Sequence, residues 1–163
     1  MNKVLEERPT LEPQTRSDRV VKRIVFATDL SERSREAAVY AAAIAQRFGA
    51  SLTLVHVFDP EGITIPSTDR VYDSLQAARR DAEKRLSALA DVVCQICPSC
   101  NQELCVGEPV EQIGLAASTL NADLVVIASH HQDFPVPFLK ADHAQTITRS
   151  INCPVLVYHQ RKP

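Results

Sequence analysis

Glycine is scarce in this chain, four residues in 163, and none lies between Leu124 and His159, LVVIASHHQDFPVPFLKADHAQTITRSINCPVLVYH. That stretch reads as a buried strand, a long loop, a short helix and a final strand. In an open parallel sheet such a loop stands beside the ligand crevice. A loop that cradles phosphate needs glycine, because only backbone without Cβ atoms lets successive amides close around an anion. The phosphate grip is what this loop lacks.

Other absences narrow the field further. No charge of one sign dominates: 18 Lys plus Arg stand against 20 Asp plus Glu, interspersed, for a formal net charge of -2. Nothing in that balance draws the chain to nucleic acid or to anionic lipid. The opening MNKVLEERPT has no apolar core of signal-peptide length, and no later run reaches membrane-spanning length, so a cytoplasmic protein without a membrane partner is expected. Five cysteines are an odd number, and four fall between Cys94 and Cys105; reduced thiols are expected in place of a secreted disulfide framework. There is no fixed-period repeat and no G-x-S-x-G elbow. Ser129 and His130 are adjacent, and neighbours on one strand point to opposite faces. No catalytic residue stands out and no enzyme is expected.

What is present alternates regularly. The chain is long enough for one domain only. Residues 1–18 are polar, with Pro9 and Pro13, and read as a flexible tail; residues 19–163 form the domain. Val20 to Ala27 is nearly continuously apolar, as a strand covered on both faces requires. Ser31 can cap a helix carrying Ala37, Ala41, Ile44, Ala45 and Phe48 at helical spacing, and Gly49 can end it in the left-handed conformation. Ser51 to Phe58 is a second strand. Pro60 to Arg70 is a loop, and Leu75, Ala78, Ala82, Leu86, Leu89 and Val93 mark one face of a second helix. A short strand at about Gln102 to Val106 precedes Gly107-Glu108-Pro109, with proline at a first helical position. Val110, Ile113, Ala117 and Leu120 carry the third helix. Asp123 to Ser129, Asp142 to Ile151 and Pro154 to His159 complete the alternation as strand, helix and strand. Strands alternating with helices predict an α/β fold, a parallel sheet with helices on both faces.

The run KRIVFATDLSERSREAAVYAAAIAQRFGASLTLVHVF resembles the first half of the universal stress protein family, and GEPVEQIGLAASTLNADLVVIASH with CPVLVY resembles its second half. The resemblance implies an open five-stranded, Rossmann-like sheet of order 3-2-1-4-5 and a cytoplasmic homodimer. In many members it also implies an ATP site between the first and fourth strands. ATP-binding members carry a glycine, two residues, a second glycine, about nine residues, and glycine with serine or threonine after the fourth strand. Here those positions fall on His131, Phe134, Ala141 and Asp142, and none matches.

The residue types found there oppose a triphosphate. His131 and Phe134 add bulk, and Pro135 and Pro137 each remove an amide donor. Asp142 stands where a helix N-cap is expected, with Gln145 completing a capping-box pattern. A carboxylate about 4 Å from a phosphate charge repels it by roughly 4 kcal/mol at an effective dielectric near 20, whereas the helix dipole returns only about 0.3–1 kcal/mol. Two positions do match the family: Asp29 after the first strand and Val57 at the end of the second, which lie near ribose and base in ATP-binding relatives. The plainer reading is that Asp29 satisfies loop amides and Val57 packs. Ser129 and His130, with His131, Phe134 and Asp142, are the expected crevice lining.

Three further features carry chemistry. His56, His130, His131 and His143 join Asp29, Asp133 and Asp142 around one expected crevice mouth, where divalent metal or a pH response is conceivable. Cys94, Cys97 and Cys100 form C-x-x-C-x-x-C with Cys105 beyond. This pair-forming spacing follows a helix instead of opening one, which opposes thiolate formation. The last strand, Val155, Leu156, Val157 and Tyr158, is an apolar edge without charge or internal proline; pairing with a second copy is expected, with the N-terminal tail as the alternative cover. The resulting expectation is a universal stress protein of the non-ATP-binding type, without cofactor, acting as a dimeric stress-response module toward a protein partner not legible in the sequence. The alternatives are a nucleotide-binding member with a divergent loop, for which Lys140 is the candidate phosphate grip, and a metal or redox sensor.

Overall fold

The computed structural model describes residues 21–61, 71–129 and 141–159, with the side chains at 129 and 141–145 excepted. The proposed tail, most of the loop from Pro60 to Arg70, and the crevice residues His130, His131, Asp133, Phe134 and Lys140 lie outside the described residues, as do the side chains of Ser129, Asp142 and His143.

Among the described residues nine elements alternate as strand and helix: β1 Arg23–Thr28, α1 Glu32–Phe48, β2 Ser51–Phe58, α2 Val71–Cys94, β3 Cys100–Val106, α3 Pro109–Thr119, β4 Leu124–Ser129, α4 Ala141–Ser150 and β5 Val155–His159. The strands form one sheet of order β3-β2-β1-β4-β5, every pairing parallel. Side chains alternate between the sheet's two faces. Ile24, Phe26, Leu52, Leu54 and Val126 pack beneath α1 and α2; Val25, Ala27, Val55, Val57, Val125 and Ile127 pack beneath α3 and α4. Both faces being buried, the central strands have no polar alternation to show, which is why their sequence reads as unbroken apolar text.

α1 presents Ala37, Ala38, Ala41, Ala42 and Ala45 to the sheet, all fully buried. Its ends are closed as the sequence anticipates. Ser31 Oγ accepts the Ser34 amide at 3.2 Å, and Gly49, at φ 64, ends the helix with Ala50 N to Ala45 O at 2.9 Å and Gly49 N to Gln46 O at 3.2 Å. This is the Schellman closure. α3 ends in the same way through Asn121, at φ 48, with Ala122 N bonded to Ala117 O at 2.8 Å. α3 begins at Pro109, as expected, with Glu108 as its N-cap.

Several expected boundaries move, among them that of β1, which runs from Arg23 to Thr28 and so begins later than the expected Val20. β3 starts at Cys100, two residues before the expected Gln102, because it is an edge strand with Asn101, Gln102 and Glu103 exposed and so lacks an apolar signature. α4 starts at Ala141; Asp142 therefore sits inside the first helical turn and not at the N-cap. β5 forms the other edge, its residues Val155 to Tyr158 half-buried, with the Tyr158 ring 5.4 Å from that of Tyr40 on α1.

Candidate functional site

β1 and β4 are neighbours, yet α1 leaves β1 toward one face while α3 and α4 cover the other. Their carboxyl ends thus flank the point where the strand order reverses, the place where open α/β sheets take ligands. The register Ala27↔Ile127 brings Asp29 to the level of Ser129, the last described residue before the segment 130–140.

The β1–α1 turn is held from several sides. Thr28 is fully buried, and its Oγ1 shares a 2.9 Å hydrogen bond with Ser34 Oγ while accepting the Leu30 amide at 3.0 Å. Asp29 Oδ1 accepts the Ser31 amide at 2.9 Å, an Asx-type closure. Leu30 adopts φ 61, a left-handed conformation that costs a non-glycine residue about 1–2 kcal/mol. That strain is over-determined by its neighbours: the amide is tied to Thr28, and its carbonyl accepts Arg85 Nη2 from α2 at 2.8 Å. Neither Arg85 nor Ser34 was legible as part of this turn: Arg85 reaches it across 55 residues, and the Ser34 hydroxyl reaches it from inside the first turn of α1.

His56 is set against the same turn, from below. It shares a face with Leu52 and Leu54, beneath α1 and α2, and is 8 % exposed. Its Nδ1 donates to the Thr28 carbonyl at 2.8 Å, which fixes the neutral tautomer with the proton on Nδ1. Burial lowers its pKa from the ordinary 6.5, outweighing the Thr28 bond and the nearby Asp29 carboxylate. His56 therefore supports the turn on the α1–α2 side of the sheet. Val57, one residue on, faces α3 and is 1 % exposed.

Among the described residues no group of three or more His, Cys, Asp or Glu is placed to hold a metal. A single zinc held by Cys94, Cys97, Cys100 and Cys105 fails on distance. Cys100 and Cys105 both lie on β3, and five residues of strand at roughly 3.3 Å each separate them by about 16 Å, whereas ligands of one zinc each lie about 2.3 Å from it. All five cysteines are free. Cys97 is buried, with Sγ donating to Ala50 O at 3.7 Å. Burial raises the thiols of Cys97, Cys105 and Cys153, and pushes Cys100 up to about 12 with help from Cys94. Desolvation is the leading cause in each case, and not the helix end on which the expectation rested. At the opposite end of the sheet, a cleft of about 220 Å³ between the ends of α3 and α4 is lined by Gly114, Ser118, Asn121, Ser150 and Cys153.

The universal stress protein family model matches residues 21–159. The chain belongs to the universal stress protein family. A universal stress protein of Methanocaldococcus jannaschii is 27 % identical over 149 residues, spanning 89 % of this chain and 86 % of the relative. The universal stress protein UspA of Lactobacillus plantarum superposes with a TM-score of 0.69 at 24 % identity, covering 84 % of this chain and 97 % of that one. A universal stress protein crystallised in complex with cAMP superposes with a TM-score of 0.66 at 20 % identity, covering 86 % and 98 %. The sheet order of this universal stress protein is the one its sequence resemblance implied, and no described helix is long and apolar enough to cross a membrane.

Proposed function

We propose that this universal stress protein is of the non-ATP-binding type and acts as a dimeric stress-response and interaction module, not as an enzyme. One observation carries the reading: the segment joining β4 to α4 contains no glycine, and the four signature positions hold His131, Phe134, Ala141 and Asp142. Without bare peptide the loop cannot wrap phosphate oxygens, and Asp142 in the first turn of α4 sets a negative charge at the helix end that would meet them. The apolar β5 edge supports association with a second copy, because such edges are either covered or paired.

Isothermal titration with ATP and magnesium tests the reading. No measurable heat is expected for ATP, and micromolar binding overturns it. A second reading is kept by Asp29 and Val57, together with the relative that holds cAMP: a nucleotide bound mainly through its adenosine half. Thermal-shift measurements with adenosine, AMP and cAMP separate the two, since this second reading requires a shift that Asp29→Ala abolishes.

A further inference from the structure

The cleft between the carboxyl ends of α3 and α4 has no part in either reading of the crevice, which lies at the other end of the sheet. Gly114, Ser118 and Asn121 form one wall, and Ser150, Asn152 and Cys153 the other. A Cβ built on Gly114 would meet nothing within 4 Å. No close approach demands glycine there, and in mid-helix it weakens α3 while widening the cleft. None of the lining residues carries a charge. Both helices bring their negative ends to the cleft; the last turn of α3 holds no basic residue, and the one in α4, Arg149, is outside the lining.

The start of β1 lies beside this cleft. Ile24 is opposite Leu124 in the parallel pairing, which sets Lys22 level with Ala122, itself a lining residue. The two segments are bonded at that point: the Lys22 and Arg23 amides donate to Asp123 Oδ2 at 3.0 and 2.9 Å, and Asp123 N donates to Arg23 O at 2.8 Å. Residues 1–20 therefore join the described body next to the cleft, and they bring Arg16 and Arg19 close to that junction. Arg19 is three residues from Lys22, a reach of up to about 10 Å of extended chain before its side chain is counted.

We propose that the chain's own N-terminal segment docks in this cleft, with Arg16 and Arg19 presenting guanidinium donors to the carboxyl ends of α3 and α4 and to the side-chain oxygens of Ser118, Asn121, Ser150 and Asn152. The segment is the occupant because it starts beside the cleft and carries the charge that two helix carboxyl ends favour. Docked there, it straps α3 to α4 at the end of the sheet remote from the crevice, and it leaves the β5 edge to a second copy.

The test uses the full chain and the rate at which iodoacetamide labels Cys153, read by peptide mass spectrometry. Cys153 lines the cleft and reports its cover, while Cys105 on β3 serves as the reference within the same molecule. In the double variant Arg16→Glu, Arg19→Glu the Cys153 rate, relative to Cys105, is expected to rise roughly tenfold, as the loss and reversal of charge at two helix ends implies. Gly114→Leu fills the cleft from the helix side and is expected to expose the segment, so that trypsin cuts after Arg16 and Arg19 faster than in the parent protein. Unchanged labelling in the double variant, or unchanged cleavage in Gly114→Leu, overturns the proposal. Protection of Cys153 that weakens on dilution of the parent protein also overturns it, because the occupant is then a second copy. Neither readout depends on what the crevice binds.

Discussion

His56 Nδ1 donates to the main-chain carbonyl of Thr28 at 2.8 Å, across two strands on which the two residues are register partners. A side chain on β2 thereby fixes the last peptide of β1 just before the chain turns through Leu30. Because burial lowers the His56 pKa below its ordinary 6.5, the unfolded state binds the proton more readily than the folded one. The stability this represents is complete above pH ~6.5 and is lost as the pH falls from there toward the lowered folded value. Urea midpoints are expected to decline between pH 7 and 5, and His56→Leu should flatten that part of the curve. The same variant leaves the Thr28 carbonyl without this donor, and is expected to cost about 1–3 kcal/mol at pH 7.

Asp123 gives a second pH response, at lower pH. Its Oδ2 accepts the amides of Lys22 and Arg23 at 3.0 and 2.9 Å, and its Oδ1 lies 3.5 Å from the Arg23 guanidinium. The Lys22 amide leads in lowering its pKa from the ordinary 3.8. Its contribution is therefore present above about pH 4 and lost on further acidification. Asp123→Ala, measured by denaturant titration at pH 7, is expected to cost about 2 kcal/mol through the loss of two amide bonds to a charged acceptor.

Ala41 is fully buried between α1 and the sheet. Ala41→Leu should destabilise by about 1–3 kcal/mol through overpacking, while the same change at neighbouring Ala43, only partly buried, should cost less. Calorimetric melting of the two variants side by side checks this.

Gly49 isolates backbone strain from packing. It stands at φ 64, and a Cβ added there would meet nothing within 4 Å. Gly49→Ala is expected to cost about 1 kcal/mol from the left-handed conformation, and Gly49→Asn less, because asparagine tolerates that region better.

The proposed dimer makes its own prediction. Leu156→Lys places a charge on the β5 edge, and analytical ultracentrifugation is expected to show the sedimenting mass reduced to that of a single chain. A mass unchanged from the parent protein would assign the β5 edge no part in association.

β2 and β4 were legible almost to the residue because burial on both faces leaves an uninterrupted apolar run, and Ser51 to Phe58 is the span observed, whereas β1 begins at Arg23, later than its apolar text suggested. β3 was legible only in part, since Asn101, Gln102 and Glu103 face solvent and carry no such signal. The second Schellman closure was missed because Asn121 is less conspicuous than glycine. His56 was grouped with the crevice, although two-residue parity with Leu52 and Leu54 already placed it on the α1–α2 face. The bonds from Arg85 to Leu30 and from His56 to Thr28 span 55 and 28 residues; periodicity reports which face a residue takes, not which carbonyl it meets.

The two margins of the sheet are unlike. One ends in Asn101, Gln102 and Glu103, side chains that hold water and discourage a neighbour; the other ends in Val155 to Tyr158, which do not. Under the pairing proposed above, a molecule adhesive along a single border would meet its copy once and be used up, so that strand-to-strand growth would terminate at the pair instead of running on into a filament.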